Sequence, residues 1–463
     1  MAGIGFILKK LTQREDLLGL VDAFIRASII SAGPWILTVL TLSMIMMFGR
    51  ELLPFEEAFN FQSIIIYNFC FSLVLTAPIS LTTTRYLADT IYAKDVSGTP
   101  GMLFGALSLV LFIEGPVACI LYFGIAKLTF LMALLAVINF LLIAIIWMIA
   151  IYLTALVAYD AVTGAFFAGL FISLFLTVFA ALYGDDETML AGFSLGMAVI
   201  IALLITQILS EYPYAFKAPF AFLVAFKEYW EVALSGLFFN MAIWVDKWVM
   251  WTSPDRLHLP NNLIIYPHYD ASAFMANLIT IPAMAIFLIF IETEFFEKYL
   301  RFYEEIRQGA TMKRIISNQE EIWSFVLHAT RRLLIAQVLI AILVIGIAPT
   351  VFEAFGINFM QLGMFRMCVI GASYQILILF LSILLWYFDN RRDALLLHIF
   401  YFVSNGVLTY ISMELGFSFY GSGFALSAIL SCLLAAYLIE REVTKLPYHT
   451  FVTHNTSLRA RQT

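Results

Sequence analysis

Twelve times along the chain, apolar residues run on for about twenty positions with almost no charge, and short polar stretches separate the runs. At 1.5 Å per residue, about 20 such residues cross a hydrocarbon core about 30 Å thick. Each run therefore predicts a membrane-spanning helix. The predicted spans are 27–48, 61–84, 101–125, 129–158, 161–183, 189–210, 230–251, 271–291, 333–355, 364–388, 394–415 and 424–440.

The seventh run, WEVALSGLFFNMAIWVDKWVMW, breaks the pattern. It carries Asn240 in its middle and Asp246-Lys247 towards its far end. At about 100° per residue, Asn240, Trp244, Lys247 and Trp251 share one face, while Asp246 points elsewhere. Leu234, Leu237, Phe238 and Met241 cover much of the remaining circumference. Lipid cannot satisfy a polar stripe, so this face is expected to meet protein or water.

Composition makes the reading firm. Of 463 residues, 62% are hydrophobic and 13% charged, with mean hydropathy +0.93, where a soluble domain is near half apolar and a quarter charged. The chain reads as an all-α polytopic membrane protein. The residues before the first span, 1–26, are too charged for a cleavable signal peptide and read as a cytoplasmic amphipathic segment, Ile4, Ile7, Leu8 and Leu11 opposing Lys9, Lys10 and Arg14.

Charge also orients the chain. With the N-terminus inside, 21 of the 26 Lys and Arg fall on the inner side and 5 outside (Arg50, Lys127, Lys247, Arg256 and Arg366). By the positive-inside rule both termini are cytoplasmic. The acidic outer loop 184–188, GDDET, agrees. Twelve spans with both ends inside divide as six plus six. Weak repeats 204 residues apart support that division: Ser31 with Ser235, and LTAP at 75–78 with ITIP at 279–282. Halves with an even number of spans are parallel repeats about an axis along the membrane normal, with a central cavity expected between them.

The resulting organisation is an N-lobe at 27–210, a cytoplasmic linker at 211–229 that is amphipathic enough to lie on the membrane surface, a C-lobe at 230–440, and a cytoplasmic tail at 441–463. Within the C-lobe, 292–332 is a charged cytoplasmic arm, either a docking surface or an extension of the flanking helices with a solvated face.

Glu114, in LFIEGPVAC, is the deepest carboxylate. An ionised group there costs about 2.5–3.5 kcal/mol on insertion scales, so it must be paired, hydrated or protonated. It is read either as a structural partner at the Pro116 kink or as a group with a cavity or coupling role, setting the polarity of a path or carrying a proton. Pro34, Pro78, Pro116 and Pro282 mark expected helix kinks. Asn240, Trp244 and Lys247 are candidates for a substrate path, because aromatic faces stack on sugars and amides bond hydroxyls without charge; snorkelling is the competing reading for Lys247. The other mid-span amides, Asn68, Asn139, Gln375 and Asn405, read as interhelical glue, and Gly192 with Gly196 as packing.

No Lys or Arg lies in the central third of any span, which points away from a diphosphate-linked cargo and towards a neutral or weakly charged one. A phosphate-binding GxxxxGK[ST] loop, a nucleophile–base constellation and metal-ligand spacing are all lacking. No cofactor, metal or nucleic acid is expected. An ion-coupled exporter or flippase and a membrane scaffold for a synthase remain the alternatives to a polymer transporter.

Several strings carry a resemblance over nearly the whole length: MAGIGF at 1–6, SAGPW at 31–35, TRYLAD at 84–89, SGLFFNMAIWVDKWVMW at 235–251, Tyr269-Asp270, IETEFF at 291–296, LLWYFDNRRDA at 384–394 and FYGSGF at 419–424. In these the chain resembles the PelG family, integral components of Pel exopolysaccharide export in bacteria. The resemblance implies two six-helix lobes around a central cavity, as in multidrug, oligosaccharidyl-lipid and polysaccharide exporters. It also implies passage of the N-acetylhexosamine-rich Pel polymer across the inner membrane, with PelD, PelE and the glycosyltransferase PelF as partners. It assigns no catalytic residue.

Overall fold

The computed structural model describes residues 17–155, 159–354, 356–448 and 451. Most of the expected amphipathic segment, 1–16, and nearly all of the tail beyond 448 lie outside the described residues.

The described chain is almost wholly helical, as its composition demands: in lipid, only a helix satisfies its own backbone. The helices are α1 (Leu17–Leu52), α2 (Phe55–Tyr92), α3 (Thr99–Cys119), α4 (Phe130–Ala155), α5 (Tyr159–Tyr183), α6 (Asp186–Glu211), α7 (Leu223–Glu228), α8 (Trp230–Met250), α9 (Pro267–Asn277), α10 (Thr280–Ile289), α11 (Phe296–Arg307), α12 (Met312–Ala354), α13 (Gln361–Tyr387), α14 (Arg391–Glu414), α15 (Ser422–Thr444) and α16 (Leu446–Tyr448). Two wider, π-helical turns follow α3 (Ile120–Ile125) and α10 (Phe290–Phe295). Strands β1 (Leu257–His258) and β2 (Ile264–Ile265) form an antiparallel hairpin, Leu257 opposite Ile265. Eleven helical stretches among the described residues are long and apolar enough to cross a membrane, and Gly33–Gly49 of α1 is a shorter apolar one. The all-α polytopic class predicted from the sequence is the observed one.

The prolines act unequally. The chain stays helical through Pro34, Pro78 and Pro116. Pro282 lies in the first turn of α10, where its missing N–H would have bonded Leu278; the helix breaks just before it, at Leu278-Ile279, with Ile281 N bonding Leu278 O at 3.2 Å.

Contacts group the residues into two compact units. The first, Ala32–Pro267, has a core that includes the fully buried Phe61, Phe140, Phe193, Tyr122 and Tyr152. Its α5 and α6 approach closely because Gly169 and Gly196 have no Cβ; one on Gly196 would strike Ser173 and the backbone of Gly169. The 211–229 connection is mostly non-helical, since Pro213 and Pro219 interrupt it and Ala218 takes φ +43°. Its backbone lies directly on α3, where Gly101 and Gly105 leave no room for a Cβ against Lys217 and Pro219.

The second unit comprises Met1–Ser31 and His268–Thr463. Its most enclosed span is α13, against which Gly371 seats the ring of Phe424 from α15. The turn between α14 and α15 uses Gly416 at φ +102° and Gly421 at φ +89°, left-handed positions that favour glycine. Of the arm, α11 packs on the first part of α12, which continues without a break into a membrane span. Glu305 accepts from Arg314 at 2.9 Å and from Asn318 at 2.6 Å, and the Gln319 amide donates to Val443 O and Thr444 O at the end of α15.

Candidate functional site

The α8 helix is positioned by α2. Small buried residues along α8 (Ala233, Ser235, Gly236, Ala242) allow close approach, and Gly236 sits against Leu81 and Ala77 O. Towards the other end of α8 the two helices interlock through rings. Phe71 stacks on Trp248 (5.7 Å, 9°), Tyr67 stacks on Trp251 (4.8 Å, 5°), and the Trp248 indole N–H donates to Cys70 Sγ at 3.1 Å. As residue numbers rise along α2 they fall along α8, so the pair is antiparallel. Each such ring pair adds about 0.5–1.5 kcal/mol beyond its buried area.

The polar face resolves into distinct environments. Asn240 is half-buried; its amide N–H donates to Gly236 O one turn back at 2.9 Å, and its side-chain carbonyl has no partner among the described residues. The half-buried Trp244 has an indole N–H that is itself buried and has no partner among the described residues. Lys247 is buried. Its ammonium lies 3.1 and 3.0 Å from the two oxygens of the fully buried Asp246 and 2.9 Å from Ile243 O, and 5.7 Å from the centre of the Trp244 ring. Neighbouring side chains point about 100° apart on a helix, but the flexible lysine stem folds back across that angle. All three ammonium protons therefore have acceptors.

Glu114, on α3, is wholly buried. Thr76 of α2 donates to its Oε1 at 2.6 Å, and Oε2 has no partner among the described residues. Two residues on, Pro116 leaves the Phe112 carbonyl without its helical donor, and the wider turn at Ile120–Ile125 follows.

Thr76 belongs to a polar ladder that spacing along α2 makes visible. Asn68, Ser72 and Thr76 recur every fourth residue, each at most 1% exposed. Tyr122 OH donates to Asn68 Oδ1 (2.6 Å), Asn68 Nδ2 to Asn139 Oδ1 (2.8 Å), and Asn139 Nδ2 to Ser194 Oγ (3.0 Å). Trp147 Nε1 donates to Ser72 Oγ at 3.2 Å. The amides Asn68 and Asn139 thus join α2, α4 and α6. In the second unit, Tyr401 OH donates to Gln375 Oε1 (3.0 Å), whose amide reaches Asn277 (3.4 Å), while Thr409 bonds Asn405 within its own helix. Ser72, Thr76, Tyr122 and Ser194 escape a reading that takes polar residues singly.

The 251–267 connection forms a cap over one end of the first unit. Ile264 N donates to Tyr67 OH and that hydroxyl to Ile264 O, at 3.2 and 2.9 Å. Asn261 Nδ2 donates to Asn60 Oδ1 at 2.9 Å, Lys127 N to Asn261 O at 3.0 Å, and Asn262 Nδ2 to Ile125 O at 3.2 Å. Neutral amides tie together the ends of α2 and of the wide turn after α3. Among the described residues, no group of three or more His, Cys, Asp or Glu side chains is placed to hold a metal.

Residues 1–451 match the family model PelG, described as "Putative exopolysaccharide Exporter (EPS-E)". None of the curated proteins matches the chain. Solved structures do. An outward-facing multidrug resistance MATE family transporter of the MOP superfamily has TM-score 0.67 at 16% identity, over 95% of this chain and 98% of its own. A MOP superfamily transporter from Pyrococcus furiosus Vc1 has TM-score 0.66 at 15% identity, and a MATE in complex with MaL6 the same values; both alignments cover 92% of this chain and 96% of the other. At these identities the likeness establishes a shared fold.

Proposed function

The chain belongs to the PelG family and has the fold of MATE transporters, and from that premise we propose that it carries the Pel polymer, rich in N-acetylhexosamines, across the bacterial inner membrane as it is made. In this reading both termini are cytoplasmic, the polymer comes from the glycosyltransferase PelF, and PelD and PelE complete the assembly. The arm formed by α11 and the first part of α12 offers these partners a helical surface.

The observation that carries the reading is the pair of unfilled neutral groups on α8. The side-chain carbonyl of Asn240 and the indole N–H of Trp244 lie one turn apart, the second buried without an acceptor among the described residues. A buried donor left unmade costs about 1–3 kcal/mol. Hydroxyl and acetamido groups of a passing sugar supply what each lacks, and the indole face stacks on sugar C–H groups. Lys247 contributes to this path by pairing Asp246, with its ammonium 5.7 Å from the centre of the Trp244 ring.

The test uses purified protein in liposomes with PelF, its partners and a sugar nucleotide outside. Polymer protected inside the vesicles supports transport. Polymer found only outside, with the protein retaining PelF at the membrane, makes it a scaffold and removes the proposal.

A second reading, an ion-coupled exporter, draws on the open oxygen of Glu114. There the carboxyl takes up and releases a proton while Thr76 holds it in place. Collapse of the proton gradient would then stop polymer entry into the vesicles, and continued entry would remove this reading.

A further inference from the structure

At the junction of α10 and the arm, the second unit contains a cavity of 260 Å³ whose walls include Phe290, Glu294, Lys298, Glu321, His328 and Arg332. This is just under the ~300–1,000 Å³ of pockets for drug-sized ligands, so the occupant is a small group. The wall is charged in both signs, and the charges are not equally engaged. Glu321 is held by Lys298 at 3.9 Å and by Arg301. His328 Nδ1 lies 2.6 Å from Ser324 O, which makes Nδ1 the protonated nitrogen and directs Nε2 elsewhere. Arg332 and Glu294 are exposed and have no polar partner among the described residues. The cavity thus presents an open guanidinium and an open carboxylate.

The α12 helix adds the second element. His328 and Arg332 are followed on the same helical face by Ile335, Leu339 and Ile342, spaced three or four residues apart. These aliphatics are 47%, 62% and 64% exposed, an apolar row that runs from the charged cavity into the membrane-spanning part of the helix. A molecule with a small zwitterionic head and a long apolar tail matches both parts at once.

We infer that this cavity is a binding site for an aminophospholipid: Arg332 takes the phosphate, Glu294 takes the primary ammonium, and an acyl chain lies along Ile335, Leu339 and Ile342. Arg332 offers the bidentate geometry that phosphate accepts. The ammonium needs a hydrogen-bond acceptor, so a primary amine is preferred over a trimethylated one. Lipid bound here links the membrane surface to the arm and fixes the angle at which α12 leaves the bilayer.

The test is native mass spectrometry of the delipidated full-length protein with phosphatidylethanolamine, phosphatidylcholine or phosphatidylglycerol added. The parent should retain phosphatidylethanolamine best. Loss of a charge-assisted contact weakens binding by about tenfold or more, so Arg332→Gln should lower retention of phosphatidylethanolamine and phosphatidylcholine alike. Glu294→Gln should erase only the preference for the primary amine. Both side chains are exposed, and unchanged melting curves will show that the variants fold. Soluble glycerophosphoethanolamine should fail to displace the lipid, because it lacks the chain. The inference falls if Arg332→Gln binds lipid like the parent, if phosphatidylglycerol is retained as well as phosphatidylethanolamine, or if the soluble headgroup competes. It also falls if the variants lose a cytosolic protein partner while their lipid adducts are unchanged.

Discussion

The first unit buries two kinds of ionisable group in an apolar surrounding, and they are handled in opposite ways. On α8, Asp246 and Lys247 neutralise each other across 3.0 Å. On α3, Glu114 has one threonine hydroxyl and an open oxygen. At an effective dielectric near 20, opposite charges 3 Å apart attract by roughly 5 kcal/mol. That is comparable with the several kcal/mol needed to desolvate each ion, so the α8 pair is close to neutral in stability while intact and costly when halved. Glu114 has no such compensation.

The largest effect expected from this contrast is therefore on α8. Asp246→Asn leaves a buried ammonium without its counter-charge and should lower stability by about 3–5 kcal/mol, read as an early thermal transition of the purified protein. Lys247→Met should do the same from the other side. The double variant Asp246→Asn/Lys247→Met should recover most of the loss. Single variants that melt like the parent would mean that the pair locks nothing.

The matching change on α3 should have little effect on folding. Glu114→Gln keeps an acceptor for Thr76 and removes the ionisable proton, so stability should stay within about 1 kcal/mol of the parent. Polymer export should nonetheless fall sharply at equal membrane abundance. Normal export by Glu114→Gln would reduce this carboxyl to a packing element.

Between these extremes stands Trp244→Phe, which deletes the unpartnered indole N–H and keeps a ring near Lys247. Removal of an unmade buried donor should leave stability unchanged or raise it by up to about 1–3 kcal/mol. Export should drop, because the donor to the sugar is gone. Stability lost together with export would instead place Trp244 in the α2–α8 packing.

Much of this architecture is legible in sequence because the bilayer imposes a single rule. Apolar runs of fixed length must be helices, so the spans and the all-α class follow from hydropathy alone. Chemistry is read less well. Asn240, Trp244 and Lys247 share a face by angle, yet angle does not reveal that the Lys247 stem bends back to Asp246. The ladder Asn68, Ser72, Thr76 is periodic and could be read directly, but its partners Tyr122, Trp147 and Asn139 come from other helices that only tertiary packing brings near. Gly101 and Gly105 illustrate the same limit: two glycines four apart suggest a close neighbour, and nothing local identifies it as the backbone of Lys217 and Pro219. The hairpin cap, built from Asn261 and Asn262, resembles an ordinary polar loop until its acceptors are seen.

The smallest effect, and the most discriminating for the proposed path, is expected at Asn240. Among the described residues its side chain makes one bond, to Gly236 O of its own helix, and polar side-chain bonds within membranes average about 0.6 kcal/mol. Asn240→Leu should thus leave the melting curve nearly unmoved. If a sugar group reaches the open carbonyl during transport, loss of that acceptor is worth about 1 kcal/mol, or roughly fivefold in the rate of polymer entry into vesicles. Asn240→Gln, which restores an amide at slightly longer reach, should recover part of the rate, while Asn240→Leu should not. Equal rates for all three proteins would show that the carbonyl faces no cargo. The α8 face would then differ from the Asp246–Lys247 pair only in charge, with both serving to hold α8 against α2.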